Sequence, residues 1–580
     1  MLKTLLAQVK EFKTPSFLTP VCMIGEVICE MMIPRLMARI VDEGIYAGSL
    51  AVILQTGLQM LFVALLGLLC GIGGGFFGAK AATGFARNLR KAMFDNIQTF
   101  SFANIDRFST SGLVTRLTTD VTNIQNAYQM VLRMAMRAPT TMIVAMVMSF
   151  LISPRLASIY LVAVLFLACV AVILIRRVTV YFKQVFERYD DLNESVQENV
   201  SAIRVVKAYV REDHEISKFR RAAENIYRMF VKAEMNMTLV APVMSLTVYS
   251  CILLISWFGA HAVVSDTLRV GDLMSLLTYC MSILMSLMMV SMVFVMITMS
   301  QASARRISEV LTEESTLTSP ADARFEVKDG SIRFEDVFFS YNRDSAEPVL
   351  SGISLDIRSG EAIGIIGATG SAKSSLVNLV SRLYDVTKGR VLVGGYDVRE
   401  YDLDTLRNAV SVVLQNNVLF SGSIYDNLRW GDENATEEDC KRAARLACAD
   451  EFIEKMPDGY NTHIEQGGTN GSGGQKQRLC IARALLKHPK ILILDDSTSA
   501  CDTATDAKIR KAFREEIPDT TKLIIAQRIS SVMDLDRIIV MENGKVNGFG
   551  THEELLRENR IYREVYESQT AGGGDFDEAA

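Results

Sequence analysis

The 580-residue sequence has no C-x-x-C pair, no strong excess of either charge and no leader-like beginning. Its ten cysteines are scattered, several of them inside apolar runs. Such thiols behave as small buried hydrophobes rather than as disulfides or metal ligands. A formal net charge of −5 provides no basic footprint, so no nucleic-acid partner is expected. Met1–Phe17 lacks a short apolar core followed by a cleavage site, and no secretory signal is expected there. Helix breakers are missing from Arg188–Tyr209 and Asp213–Val231, which contain neither Pro nor Gly.

What is present is unevenly distributed. Hydrophobic residues make up 49% of the chain, concentrated in long runs before about residue 310. Beyond that point the composition is that of a soluble α/β protein. Six apolar stretches, Phe17–Val41, Val52–Phe77, Val131–Ile152, Leu156–Ile175, Thr238–Val264 and Met274–Met299, are each near the ~20 residues a helix needs to cross a bilayer. A soluble core helix is the alternative for any one of them, but not for six in succession.

Basic residues gather in two long connections. The first holds Arg87, Arg90, Lys91, Arg107 and Arg116, and the second runs from Arg176 to Arg221. The short opposite connections carry almost none, which places both termini and the long connections in the cytosol. Connections of that length are not structureless in a compact protein. We expect the spans to continue as helices rising about 1.5 Å per residue and reversing at tips near 104–112 and 208–219. Charges beside aromatics at both tips suit docking on another domain, with a solvated turn as the alternative.

Within the spans, Glu26 and Glu30 lie four apart on one helix face, as do Arg133 and Arg137. Ionisable groups at membrane depth face a cavity or pair with one another; a location near the interface is the blander account. Met274, Met281, Met285, Met288, Met292, Met296 and Met299 recur at helical spacing on the last span. A flexible, polarisable face of this kind could line a pathway for small amphipathic compounds or simply pack on neighbouring helices. A polar connector, 312–329, leads to the soluble domain, 330–570.

That domain contains an aliphatic run, Ile363–Ile366, followed by Gly367, Ala368, Thr369, Gly370, Ser371, Ala372, Lys373, Ser374 and Ser375. The order is that of strand, phosphate loop and helix. Backbone N–H groups and the positive helix end receive phosphate, Lys373 reaches its outer oxygens, and Ser374 offers a hydroxyl to Mg²⁺. An ordinary Gly-containing turn is the alternative for the loop taken alone, since Ala372 replaces the usual Gly before Lys. Downstream come Ser411–Gln415, Asn470–Arg478, the run Ile491–Asp495 with Asp496, and Lys522–Gln527.

These linked motifs resemble the nucleotide-binding domain of an ABC transporter. With six preceding spans the chain is similar to an exporter half-transporter over nearly its whole length. The resemblance implies an α-helical membrane domain of six transmembrane helices (1–311) fused to an α/β P-loop domain, with ATP and Mg²⁺ as cofactors. It implies that Tyr341 stacks on adenine and that Ser374, Gln415 and Asp495 hold Mg²⁺. Ser472, Gly473, Gly474 and Gln475 form the signature that clasps a partner's nucleotide, and Asp502 lies on a loop crossing the dimer interface. Three residues depart from the family pattern. Ala372 replaces Gly, Asp496 replaces the Glu that activates water, and Gln527 replaces the switch His. A shorter carboxylate and an uncharged amide imply a slow site. Gly471 also replaces a Leu in the signature. The pattern is similar to the slow-site subunit of heterodimeric bacterial multidrug exporters, in a multi-pass inner membrane setting. A dedicated lipid or peptide exporter, or a mainly regulatory ATP-binding subunit, are the alternatives. The tail, 571–580, is expected to be disordered.

Overall fold

The computed structural model describes residues 1–342, 347–497 and 501–570. The expected disordered tail lies outside the described residues, as do Ser499 and Ala500 of the interface loop. The chain forms two compact units. One comprises Met1–Gln98 and Ser111–Glu313; the other combines Thr99–Thr110 with the chain from Glu314 onward.

The first unit is helical. Its helices Lys13–Arg39, Leu50–Gln98, Val121–Ile152, Pro154–Ser201, Val240–Val264 and Val270–Thr312 carry the apolar stretches in order. Among the described residues, five helical stretches are long and apolar enough to cross a membrane: Leu2–Ile45, Leu50–Gln98, Thr110–Ile152, Pro242–Val264 and Val270–Thr312. The remaining stretch lies in Pro154–Ser201, whose apolar part among the described residues is Pro154–Val170. The 49-residue helix Leu50–Gln98 is about 73 Å long, more than twice the ~30 Å hydrocarbon core. It therefore continues well past the bilayer.

The first two long helices meet along a glycine face. A Cβ at Gly67 would lie 3.3 Å from Cys29, one at Gly71 3.4 Å from Glu26, and one at Gly78 3.2 Å from Thr19. Small residues let the backbones approach where no water-driven burial separates helix from lipid. Buried tyrosines fasten the bundle, Tyr279 donating to the Met31 carbonyl and Tyr160 to that of Leu276, both at 2.8 Å. The second reversal is tighter than the expected 208–219. Helix Ile203–Ala208 is followed directly by Glu212–Thr238, whose acidic first turn (Glu212, Asp213, Glu215) suits a helix N-terminus.

In the second unit a six-stranded sheet has the order Lys545–Gly550, Arg537–Glu542, Ala362–Ile366, Thr521–Ile525, Ile491–Asp495, Val410–Val413. All neighbours are parallel except the first pair. An antiparallel sheet built on Ile332–Phe339, Leu350–Ile357 and Lys388–Val393 joins it through one apolar core. The expected linker is fastened to this unit: Leu317 and Val327 are buried, and the Arg324 guanidinium lies 3.6 Å over the Tyr396 ring. The first expected tip is a helix, Phe102–Phe108, started by a capping box between Ser101 and Asn104. It belongs to this second unit, where Asn104 Nδ2 donates to the Glu314 carbonyl at 3.1 Å.

Candidate nucleotide site

In an open parallel sheet, ligands collect beyond the carboxyl ends of the strands. The predicted residues stand at four such neighbouring ends. Gly367 follows Ile366, Gln527 follows the Thr521–Ile525 strand, Asp495 closes its own strand, and Gln415 follows Val410–Val413. A parallel sheet thus brings together residues up to 160 positions apart in sequence.

The phosphate loop is held closely. A Cβ on Gly367 would lie 2.3 Å from the Met541 carbonyl oxygen, so this position excludes a side chain. Thr369 and Gly370 are exposed at the crown, with Gly370 at φ +85°, whereas Ser371 and Ser375 are buried. Lys373 Nζ donates to the Gly367 and Ala368 carbonyls at 2.7 and 2.8 Å, which places the ammonium at the centre of the loop. Ala372, the N-cap of helix Lys373–Asn378, is left-handed at φ 71°, ψ 27°. Its methyl packs against the hydrophobic core.

Beside the loop, Ser374 Oγ donates to Asp495 Oδ1 at 3.0 Å. Burial pushes the Asp495 carboxyl above the usual range, against the opposing effects of the Ser374 hydrogen bond and the Lys373 charge. A buried carboxylate next to a hydroxyl is a hard-oxygen pair that suits Mg²⁺. Together with the side-chain-free cradle at Gly367, this donor set fits a magnesium nucleotide. Gln415 is exposed, its carbonyl accepting from Asn417 at 3.4 Å, and among the described residues no hydrogen bond joins it to Ser374 or Asp495.

The two residues expected to act on the outer phosphate meet each other. Gln527 Nε2 donates to Asp496 Oδ2 at 3.0 Å, and Asp496 takes a left-handed φ of 49°. The amide of Gln569, on the last helix Arg560–Thr570, spans the neighbouring backbone. It donates to the Gln527 carbonyl at 3.0 Å and accepts from Ile529 N–H at 2.8 Å. Motif spacing carried no signal for this clamp.

Tyr341 is half-exposed and shares a 2.8 Å hydrogen bond with Ser375 Oγ. Its ring stands edge-on to Tyr384, with centroids 5.1 Å apart. Burial first, and the carboxylate of Asp106 second, hold the Tyr384 phenol well above its usual pKa, so it remains a donor. Ser472 caps helix Gly473–Leu485, with Gln475 returning the bond to Ser472 N–H at 2.9 Å. Gly473 and Gly474 open that helix, and no hydrogen bond joins it to the phosphate loop among the described residues. Asp502 caps the next helix, its carboxylate held below the usual range by Thr505 N–H.

In the helical unit, Arg137 bridges both glutamates, to Glu26 Oε1 at 2.8 Å and Glu30 Oε2 at 2.9 Å. Arg133 instead lays its methylenes near Gly78, where a Cβ would approach them to 3.3 Å. Met285, Met288 and Met292 are exposed over half or more of their surface.

Comparison with known proteins adds to this geometry. Residues 16–288 match the family described as ABC transporter transmembrane region, and residues 350–499 the family described as ABC transporter. An uncharacterized ABC transporter ATP-binding protein of Mycobacterium tuberculosis is 38% identical over 555 residues, covering 94% of this chain and 95% of that one. A Bacillus subtilis protein described in the same words is 37% identical, covering 96% and 98% respectively. An ATP-dependent lipid A-core flippase of Desulfotalea psychrophila is 32% identical, covering 83% and 84%.

Proposed function

From the premise that this chain belongs to the ABC transporter family, as an exporter-type half-transporter with membrane and ATP-binding domains, we propose the slow-site role. In this reading it is one subunit of a heterodimer that moves small amphipathic compounds out of the cytosol or inner leaflet. It sits in a bacterial plasma membrane with six spans and both termini in the cytosol. Supporting that orientation are the basic long connections and the nearly neutral short ones.

The observation that carries the proposal is the hydrogen bond between Gln527 and Asp496. In this reading Gly367–Ser375 cradle the nucleotide, Lys373 meets its outer phosphates and Tyr341 stacks on the base. Ser374, Asp495 and Gln415 would hold Mg²⁺, which offsets phosphate charge when bound. Asp496 is too short, and too engaged with Gln527, to aim a water at the γ-phosphate. Ser472 to Gln475 present a helix N-terminus to the nucleotide of a non-identical partner, whose own carboxylate and switch residue do the cutting. Asp502 lies at the interface between the two. ATP bound on both subunits draws the nucleotide domains together because it binds the closed state better than the open one. The exposed Met285, Met288 and Met292 face, with the Glu26–Arg137–Glu30 cluster and Arg133, lines the cargo route.

A lipid cargo is the second reading, supported by likeness to a protein named as a lipid A-core flippase. ATP turnover of the purified chain in lipid nanodiscs, alone and with a co-expressed partner half-transporter, tests the scheme. Slow turnover alone and brisk turnover of the pair are expected. Brisk hydrolysis by the chain alone refutes the division of labour.

A further inference from the structure

Tyr384 had no role in the motif pattern, yet it is the point where two functional elements meet. It lies in Arg382-Leu-Tyr-Asp385, a few residues beyond the phosphate-loop helix. Arg382 holds this segment in place, donating to Asp385 Oδ1 at 2.9 Å and to the Thr318 carbonyl at 3.3 Å. On one side the Tyr384 hydroxyl donates to Asp106 Oδ2 at 2.8 Å, and its ring lies 6.1 Å from that of Phe102. Phe102 and Asp106 are four apart, on one face of the tip helix Phe102–Phe108. On the other side Tyr384 stands perpendicular to Tyr341, at 89°, and also touches Phe339 with centroids 5.7 Å apart. Tyr341 in turn bonds Ser375 of the phosphate loop. A continuous run of direct contacts therefore leads from loop to tip: Ser375, Tyr341, Tyr384, Asp106.

The route enters at the base-stacking tyrosine and not at Asp496 or Gln527. We propose that Tyr384 is a positioning residue that couples the base bound at Tyr341 to the tip helix Phe102–Phe108, so that the tip responds to the base half of the nucleotide. A base stacked on Tyr341 restricts that ring, the edge-on contact restricts Tyr384, and the charged hydrogen bond carries the restriction to Asp106. Because this path bypasses the cutting residues, a slow site can still report occupancy to the membrane half. The inference rests on the reading of Tyr341 as the base-stacking residue.

Hydrogen exchange of the peptide covering Phe102–Phe108, in the full chain in lipid nanodiscs, tests it. Magnesium ATP is compared with magnesium tripolyphosphate, which can fill the phosphate loop but has no base. Each is used at a concentration shown by displacement of a fluorescent ATP analogue to saturate the site. ATP should slow exchange about five- to tenfold, a part of the worth of one charged hydrogen bond, and tripolyphosphate should not. Tyr384→Phe, which keeps the ring, and Asp106→Asn should each remove most of that slowing while ATP affinity changes less than about threefold. Because the two groups act through one bond, the double variant should do no more than either single one. Equal slowing by tripolyphosphate, undiminished slowing in both variants, or no slowing by ATP in the unaltered chain overturns the proposal. Tyr341→Ala separates the premise: ATP affinity unchanged in that variant refutes base stacking, whatever Tyr384 does.

Discussion

Lengthening the carboxylate at position 496 should wake the site, and the structure sets the size of the effect. Asp496→Glu adds one C–C bond, about 1.5 Å of reach. A misplacement of roughly 1 Å costs about 10²-fold in rate, which bounds the gain. Against it stands the backbone: residue 496 is left-handed at φ 49°, a region Asp tolerates better than Glu. A penalty of about 1 kcal/mol there removes a factor of about five, leaving roughly 20-fold. Gln527 adds a second restraint, since its amide holds Oδ2 at 3.0 Å. Gln527→His alone should do little while Asp496 stays short. Because the two side chains touch, the double variant should exceed the product of the single effects. The assay is phosphate release from the chain in nanodiscs with a partner whose own catalytic carboxylate has been neutralised, so that the signal comes from this site. No gain in Asp496→Glu, or strictly multiplicative singles, would refute the reasoning.

Arg306 lies over the fully buried Asp120, which also accepts from Ser303 Oγ at 2.8 Å. Arg306→Ala should cost about 2–3 kcal/mol by leaving a buried charge with one partner, and adding Asp120→Asn should recover much of it in thermal unfolding. At Asp495, burial raises the folded-state pKa, so its contribution to stability is present at low pH and is lost as pH rises through that value. Mg²⁺ should therefore raise the unfolding temperature more at about pH 8 than at about pH 5, and Asp495→Asn should stabilise the nucleotide-free chain while abolishing that difference. Ala372→Gly relieves left-handed strain of about 1 kcal/mol but gives up a methyl packed on the core and adds unfolded-chain freedom. It should leave stability within about 1 kcal/mol and ATP affinity nearly unchanged, as measured by unfolding and nucleotide titration.

Much of this architecture was legible because its signals are local. Apolar runs of bilayer length became helices, and the aliphatic runs before Gly367 and ending at Asp495 became parallel strands on either side of Thr521–Ile525. What sequence did not settle were choices made by packing between distant segments. Two i, i+4 pairs, Glu26/Glu30 and Arg133/Arg137, were visible, but which arginine meets the glutamates depends on the apposition of two helices. The methionine periodicity defined a face without saying what covers it, and the structure leaves Met285, Met288 and Met292 exposed. The first tip carries charges beside aromatics that suit docking on another domain, but that Phe102–Phe108 groups with the nucleotide-binding unit depends on side chains such as Asn104 that motif reading passes over. Ala372 illustrates the same limit. Its place in the motif does not say where its methyl goes, and the fold packs that methyl against the core.

That last point leaves Asp496 and Gln527 as the departures on which the proposed slow site rests. The parts that bind and the parts that cut are attached to different strand ends, and this chain has altered them differently. Around the loop, Lys373 bonds the Gly367 and Ala368 carbonyls and Ser374 bonds Asp495. Asp496 and Gln527 bond each other, and Gln527 is anchored through Gln569 to helix Arg560–Thr570. For Asp496 to serve as a base it would have to leave Gln527, and the loop carrying Gln527 is fixed on its far side by an amide that bonds two backbone groups at once. Each restraint is worth little alone, on the order of 1 kcal/mol, but they act in series on one carboxylate. A nucleotide in such a pocket meets a full complement of binding groups and no free base. In the proposed scheme that nucleotide would reside long, and with Tyr384 beside Tyr341 its residence would hold the tip helix in its nucleotide-bound arrangement while a partner's site turned over.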